Sequence, residues 1–307
     1  MASFCYNTHF NLQSLYTVPA LDVYNIIFYS KVPKMKIVKT IEELHTARAA
    51  LQGSVGFVPT MGALHNGHLS LMQTSIAEND HTIVSIFVNP TQFLAGEDFE
   101  KYPKKEQADI KICELAGVAI LFMPTPEIMY NTMEPIILAP SFKAYVLEGL
   151  ARPGHFDGVL RVVLKLFHLA KPTRAYFGKK DAQQLYLIQN MVKSLFLDID
   201  IIPCEIVRED DGLALSSRNV YLNPQERKDA LLLCQSLKVA THAIIGGERD
   251  IATIKAEMLQ TLLPLHVEYV VILNRDFDTI KTIEISNSII LVCAKVGTTR
   301  LIDNLWI

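Results

Sequence analysis

The chain has 307 residues, half of them hydrophobic and a fifth charged, enough for two cores or one large α/β domain. Its 29 Lys and Arg residues against 32 Asp and Glu give a formal net charge of -3. That argues against a broad polyanion-binding surface and leaves room for a local basic pocket. Five cysteines, Cys5, Cys113, Cys204, Cys234 and Cys293, form no C-x-x-C pair, so buried thiols in a reducing cytoplasm are expected rather than a disulfide framework. Apolar runs such as residues 285–294 are too short or too interrupted to span a bilayer. The first thirty residues, Asp22 among them, lack the basic and apolar regions of a signal peptide.

Residues 1–34 show no clear period and read as a loose extension or as the consequence of a start upstream of Met35. Patterned sequence begins with a short strand at Met35-Lys-Ile-Val. Thr40-Ile-Glu-Glu43 then forms a capping box opening an amphipathic helix that Gly53 can end. From there to about Pro203, strand-like runs at 55–58, 81–88, 118–122, 174–177 and 199–202 alternate with helical stretches such as 104–116, closed by Gly117, and 158–170. The latter sets Val159, Val162, Val163, Leu166, Phe167 and Ala170 on one face. Such alternation predicts an α/β fold with a parallel sheet, helices on both faces, and ligands at the carboxyl ends of the strands. After about Val207 the rhythm changes. Asn223-Pro-Gln-Glu226 starts a helix, two helices divide near Gly246-Gly247, and strands follow at 267–273 and 288–296, with a weaker one at 282–285. We therefore expect a domain over 35–206 and a smaller α+β domain over 207–307, joined through 207–219, where small-molecule sites often lie.

Four segments carry chemistry. Met61-Gly62-Ala63-Leu64-His65-Asn66-Gly67-His68 leaves the first long strand, turns through glycines and enters a helix. Backbone N–H groups there suit a phosphate, and two imidazoles can stabilise charge on a leaving pyrophosphate. Taken alone, H-x-x-H is a weak signal that also suits two polar residues at a helix start or half of a zinc site, although no Cys/His cluster supports a metal. Its place after a strand and before a helix favours the functional reading. Asn89-Pro-Thr-Gln92 ends a strand with two amides, fit to recognise a hydroxyl or carboxylate or to make a plain turn. Gly178-Lys179-Lys180-Asp181 follows another strand and fits a triphosphate, with Asp181 reaching a nucleotide hydroxyl or a magnesium-bound water; two lysines also suit a solvated surface. Leu215-Ser216-Ser217-Arg218 offers hydroxyls and a guanidinium as a phosphate cradle, or simply a polar loop. Asp98 and Tyr102 read as a polar loop, Glu148 and Arg152 as site residues or a mutual pair, and His168 as structural.

Together the ordered set Pro-Thr-Met-Gly-Ala-Leu-His-x-Gly-His, Phe-Val-Asn-Pro-x-Gln-Phe, Phe-Gly-x-Lys-Asp-x-Gln-Gln and Asp-Gly-Leu-Ala-x-Ser-Ser-Arg-Asn closely resembles the pantothenate synthetase family, from Met35 to Thr299-Arg300-Leu301-Ile302-Asp303-Asn304. The resemblance implies a Rossmann-like ATP- and pantoate-binding domain and a cytoplasmic homodimer using magnesium. It also implies that pantoate attacks ATP to give pantoyl adenylate and pyrophosphate, after which β-alanine releases AMP and pantothenate. Carried over by motif position, residues 61–68, Gly178, Lys179, Lys180, Asp181, Val207 and 215–218 would hold ATP, with His68, His65, Lys180 and Arg218 catalytic. Gln92 and Gln184 would hold pantoate, Gln92 lying near the β-alanine site. Two positions depart from the family pattern, which commonly has Glu at Lys179 and Tyr at Ala182. A phosphate-facing Lys179 would tighten ATP binding or slow pyrophosphate release; a solvent-facing one would touch nucleotide only through its backbone. Rival readings are another adenylate-forming or nucleotidyl-transferring enzyme with a His-x-Gly-His motif, and a non-catalytic nucleotide-binding protein.

Overall fold

The computed structural model describes residues 34–307 apart from Ala95 and Asp98, so the expectations for residues 1–33, Cys5 and Asp98 lie outside the described residues. The elements run β1 (Lys36–Val38), α1 (Ile41–Ala49), β2 (Val55–Thr60), α2 (Asn66–Glu78), β3 (His81–Ile86), α3 (Glu106–Ala116) and β4 (Ile120–Phe122). They continue through α4 (Pro126–Met129), α5 (Glu148–Ala151), α6 (His155–Ala170), β5 (Arg174–Gly178), α7 (Ala182–Ser194) and β6 (Asp200–Cys204). The capping box forms at Thr40 and Glu43, but α1 stops at Ala49, short of Gly53. Gly117 closes α3 in the left-handed conformation at φ 90°, where a residue without Cβ meets no steric penalty.

The six strands are all parallel, in the order β1-β4-β3-β2-β5-β6. Side chains alternate across this sheet as a period of two demands. Phe57, Ile83, Ile120, Phe122, Ala175 and Phe177 join the core beneath α1, α6 and α7. Val58, Val84, Leu121 and Tyr176 join Leu71 and Met72 of α2 and Cys113 of α3 on the other face. From β2 the chain first proceeds outward through β3 and β4, and later returns to build β5 and β6 on β2's other side. The order therefore reverses between β2 and β5, which opens a crevice at their carboxyl ends.

Beyond Val207 come α8 (Pro224–Ile245), α9 (Ile251–Thr261), β7 (His266–Asn274), β8 (Ser288–Val296) and β9 (Thr299–Trp306). Asn223 caps α8 through the N–H groups of Gln225 and Glu226, as its sequence suggests. The three strands form an antiparallel sheet in chain order. One face packs on α8 and α9 through Ile290, Val292, Leu233 and Leu237. The alternating residues Ile289 and Leu291 meet Phe277 and Ala182, at the start of α7. The weak strand expected at 282–285 is an isolated bridge from Thr282 to Asp250, because the turns around it leave no continuous neighbour. The last strand, β9, lies in a stretch whose pattern is too polar to announce it. Residues 34–307 cluster as one compact unit.

Candidate active site

The end of β2 delivers the His-x-Gly-His segment into the crevice. Thr60 Oγ1 donates to Ser85 O at 2.8 Å and accepts from Gly62 N at 3.3 Å, turning the chain over the end of β3. Gly62 and Ala63 then adopt φ of 89° and 50°; glycine takes such a value freely, but for Ala63 it is strained and needs external support. Asp109 of α3 supplies it. This carboxylate is 2% exposed and accepts the N–H groups of Ala63 at 2.9 Å and Leu64 at 2.8 Å.

His65 caps α2, its Nδ1 accepting from Gly67 N at 3.1 Å, and His68 Nδ1 accepts in return from His65 N at 3.3 Å. The two rings lie against each other with centroids 4.1 Å apart and planes tilted by 36°. Burial drives the His68 pKa down to about 3, with His65 adding to the effect. Burial and the Lys180 charge likewise lower that of His65. Both imidazoles are therefore neutral near pH 7. With each Nδ1 occupied as an acceptor, the single ring proton is assigned to Nε2, so each ring is a neutral donor.

The end of β3 delivers Gln92, which is 8% exposed. Its Oε1 accepts from Asn89 Nδ2 at 3.0 Å, and its Nε2 lies 3.1 Å from the sulfur of Met61. Asn89, the other amide of that segment, is consumed internally: it also donates to Gly158 O and accepts from Tyr130 and Thr91. Gly158 allows this approach, since a Cβ there would sit 2.2 Å from Thr91 O. The carbonyl of Gln92 is gripped by His155 Nδ1 at 2.8 Å and Arg152 Nη2 at 3.3 Å. Arg152 is itself held by both oxygens of Glu97, at 2.6 and 2.7 Å. Glu148 and Arg152 do not form the mutual pair that the sequence allowed. Glu148 faces Arg300 and Tyr269 instead, because Arg152 lies past the end of α5 with non-helical φ -134° and ψ 72°, which breaks the i,i+4 alignment a continuous helix would give.

Met61, His65, Gly67, His68, Gln92, Gly178, Lys180, Asp181, Gln184, Val207, Leu215, Ser216, Ser217 and Arg218 all line one cavity of about 270 Å³. Gly62, Ala63, Leu64, Asn66 and Lys179 stand outside that lining. The first three form the buried back of the loop and Asn66 is exposed at the first position of α2. A Cβ on Gly67 would lie 3.9 Å from Leu215 Cβ, so the Leu-Ser-Ser-Arg segment faces the histidines directly. Tyr102, read as part of a polar loop, is buried and reaches Ser217 Oγ at 3.5 Å. An adjoining cavity of about 590 Å³ shares Arg152, Lys180, Asp181, Ser216 and Arg218. The volumes suit a nucleotide with a small second substrate. His168 is exposed at the end of α6 and takes no part.

A sequence model of the family described as pantoate-beta-alanine ligase matches residues 36–306. The chain belongs to the pantoate-beta-alanine ligase family. A pantothenate synthetase of Aliarcobacter butzleri is 58% identical over 273 residues, 89% of this chain and all of that protein. One of Campylobacter curvus is also 58% identical over the same shares. The crystal structure of the Thermus thermophilus pantothenate synthetase superposes with a TM-score of 0.84 at 39% identity, covering 89% of this chain and 99% of the other. A pantoate-beta-alanine ligase of Francisella tularensis, complexed with beta-gamma ATP and beta-alanine, gives 0.74 at 36%, covering 89% and 97%. As a family member the chain is an ATP-dependent ligase of pantoate and β-alanine.

The ligase's supporting residues Asp109, His155 and Gly158 escape motif reasoning. An Asp inside one amphipathic helix and a Gly inside another carry no local mark of the loops they hold.

Proposed function

We propose that the cavity at the β2–β5 crevice joins pantoate to β-alanine in two steps, ATP lying along residues 61–68, 178–181, Val207 and 215–218. The observation that carries this is the convergence of four sequence-distant loops on one cavity. The neutral Nε2–H groups of His65 and His68, the N-terminus of α2, Lys180, and Ser216, Ser217 and Arg218 supply donors and charge for the triphosphate. Pantoate's carboxylate attacks the α-phosphate and pyrophosphate leaves. These groups are already aimed at the leaving charge, so no full proton transfer from a histidine is required. Gln92 and Gln184, both lining the cavity, read pantoate's hydroxyls without a competing charge. Val159, Val162 and Val163 beside them suit its geminal methyl groups. The amine of β-alanine, entering near Gln92, then attacks the acyl carbon and AMP departs.

Among the described residues no group of three or more His, Cys, Asp and Glu is placed to hold a metal. That fits magnesium, which keeps waters and binds through one carboxylate and substrate phosphates; Asp181 is the carboxylate we assign. Bound there, the ion would neutralise phosphate charge. We assign residues 35–206 as the ATP- and pantoate-binding domain and 207–307 as the smaller domain closing over it. The exposed apolar run Met133, Ile136, Leu138 and Phe142, each at least 68% exposed, supports a homodimer in which a second copy covers it. The four described cysteines are free and no helix among the described residues is long and apolar enough to cross a membrane; both are compatible with the cytoplasm.

The test is pantoate-dependent exchange of labelled pyrophosphate into ATP, followed by AMP release when β-alanine is added. Exchange with another acid but not pantoate would favour a different adenylating enzyme. Exchange with none would favour a binding protein.

A further inference from the structure

The C-terminal segment Asp303-Asn304 is assigned no role in the chemistry above, yet it touches both loops that flank the triphosphate. The two residues are adjacent on β9, so their side chains leave opposite faces of the strand. Both are buried, at 3% and 2% exposed. Asn304 uses the two hydrogens of one amide, Nδ2 donating to Lys179 O at 2.9 Å and Lys180 O at 2.8 Å. The flipped amide is ruled out, because its oxygen would face two carbonyls. On the opposite face Asp303 accepts a bidentate pair from Arg208, at 2.6 and 2.9 Å. Arg208 also donates to Gly212 O at 3.1 Å. It bridges to Ala214, and the next residue, Leu215, donates its N–H to Val207 O at 3.0 Å. Arg208 is thus the root of the excursion carrying Leu215 through Arg218. Asp303 Oδ1 also accepts Asn304 N at 2.8 Å, which locks the two grips to one another.

We propose that Asp303 and Asn304 are a positioning pair: one point on β9 fixes the Lys180 loop and the Ser216-Ser217-Arg218 loop at a set separation across the nucleotide. This rests on reading the cavity as the ATP site. Neither residue lines the 270 Å³ cavity. Asp303 does border the adjoining 590 Å³ one, but its two oxygens are taken by Arg208 and by the Asn304 N–H, so the pair acts through the loops. Loosening either grip adds an ordering cost to ATP binding while leaving the Gln92 end, on another strand, alone.

The experiment measures the KM for ATP and for pantoate in pyrophosphate exchange, with melting temperature alongside, for wild type, Asn304→Ala and Arg208→Lys. Arg208→Lys keeps the charge but loses the bidentate fork. Each variant is expected to raise the ATP KM at least tenfold, about 1.4 kcal/mol, with the pantoate KM within threefold. Both ATP values within twofold of wild type would overturn the proposal, as would parallel rises for the two substrates. A rise for only one variant would overturn the coupling of the two loops. If Asn304→Ala fails to fold, Arg208→Lys decides by the same criteria, since the Arg208 side chain is 32% exposed. A wild-type enzyme without exchange would instead sink the reading of the site.

Discussion

Asp109→Asn tests how the His-x-Gly-His loop is held. The carboxylate accepts two backbone N–H groups, at 2.9 and 2.8 Å, from residues next to and within a left-handed turn. An amide of the same shape keeps one acceptor and turns an NH2 group against the other N–H, so two donors meet in a site 2% exposed. Losing charge assistance and orphaning one donor costs about 3 kcal/mol. At roughly 2–4 °C per kcal/mol for a unit of this size, the melting temperature falls by roughly 6–12 °C. His65 and His68 follow the loop directly, so ATP binding must then order it, and the ATP KM should rise at least tenfold. With pantoate proposed to sit at Gln92 and Gln184, its KM should be affected less. The assay is pyrophosphate exchange with each substrate varied, beside thermal unfolding. A variant with wild-type melting and an ATP KM within twofold would refute the idea that Asp109 pins this loop.

Other changes address the remaining parts. Gly158→Ala places a Cβ 2.2 Å from Thr91 O and 2.6 Å from Gln92 N; backbone atoms cannot swing aside, so the pantoate KM should rise more than the ATP KM, and equal rises would contradict this. His65→Asn keeps a good helix cap but removes the Nε2 donor; exchange should fall at least a hundredfold with stability within about 1 kcal/mol, and unchanged exchange would refute the donor role. Burial and the Arg152 guanidinium drive the His155 pKa down to about 4 from 6.5. The native state then binds fewer protons than the unfolded chain between those values, so stability rises with pH there and is lost as pH falls from 6.5 toward 4. At pH 5 the loss from this group is about 2 kcal/mol relative to pH 8. The slope of melting temperature against pH should flatten in His155→Gln, and an unchanged slope would contradict a buried neutral ring. Lys179 does not line the cavity. Its ammonium bonds Glu205 and lies 5.5 Å over the Trp306 ring, so Lys179→Glu should change the ATP KM less than tenfold; a larger shift would show the side chain reaching phosphate.

The parallel sheet was legible because its strands are rich in apolar residues and alternate with helical stretches of 3.6-residue period, and Gly117 and Asn223 marked boundaries that the chain keeps. The cavity-lining groups were legible for a related reason: His65, Gln92, Lys180 and Arg218 all sit in loops with glycine, proline or hydroxyl punctuation. What the sequence hides is support across long separations. Asp109 holds Ala63, Asn304 holds Lys179 and Lys180, and Glu148 finds Arg300 rather than Arg152. Each of those partners depends on which loops the topology brings together, and no spacing within the chain encodes it. Strand β9 was hidden similarly, since buried Asp303 and Asn304 give it the look of a polar tail.

The central claim is that pyrophosphate departs before β-alanine reacts. A rapid-quench single turnover with ATP, magnesium and pantoate, but no β-alanine, tests it most directly. One pyrophosphate per active site should appear with no free AMP, and AMP should follow only when β-alanine is added. Pyrophosphate that appears only together with AMP, after β-alanine is supplied, would contradict the account.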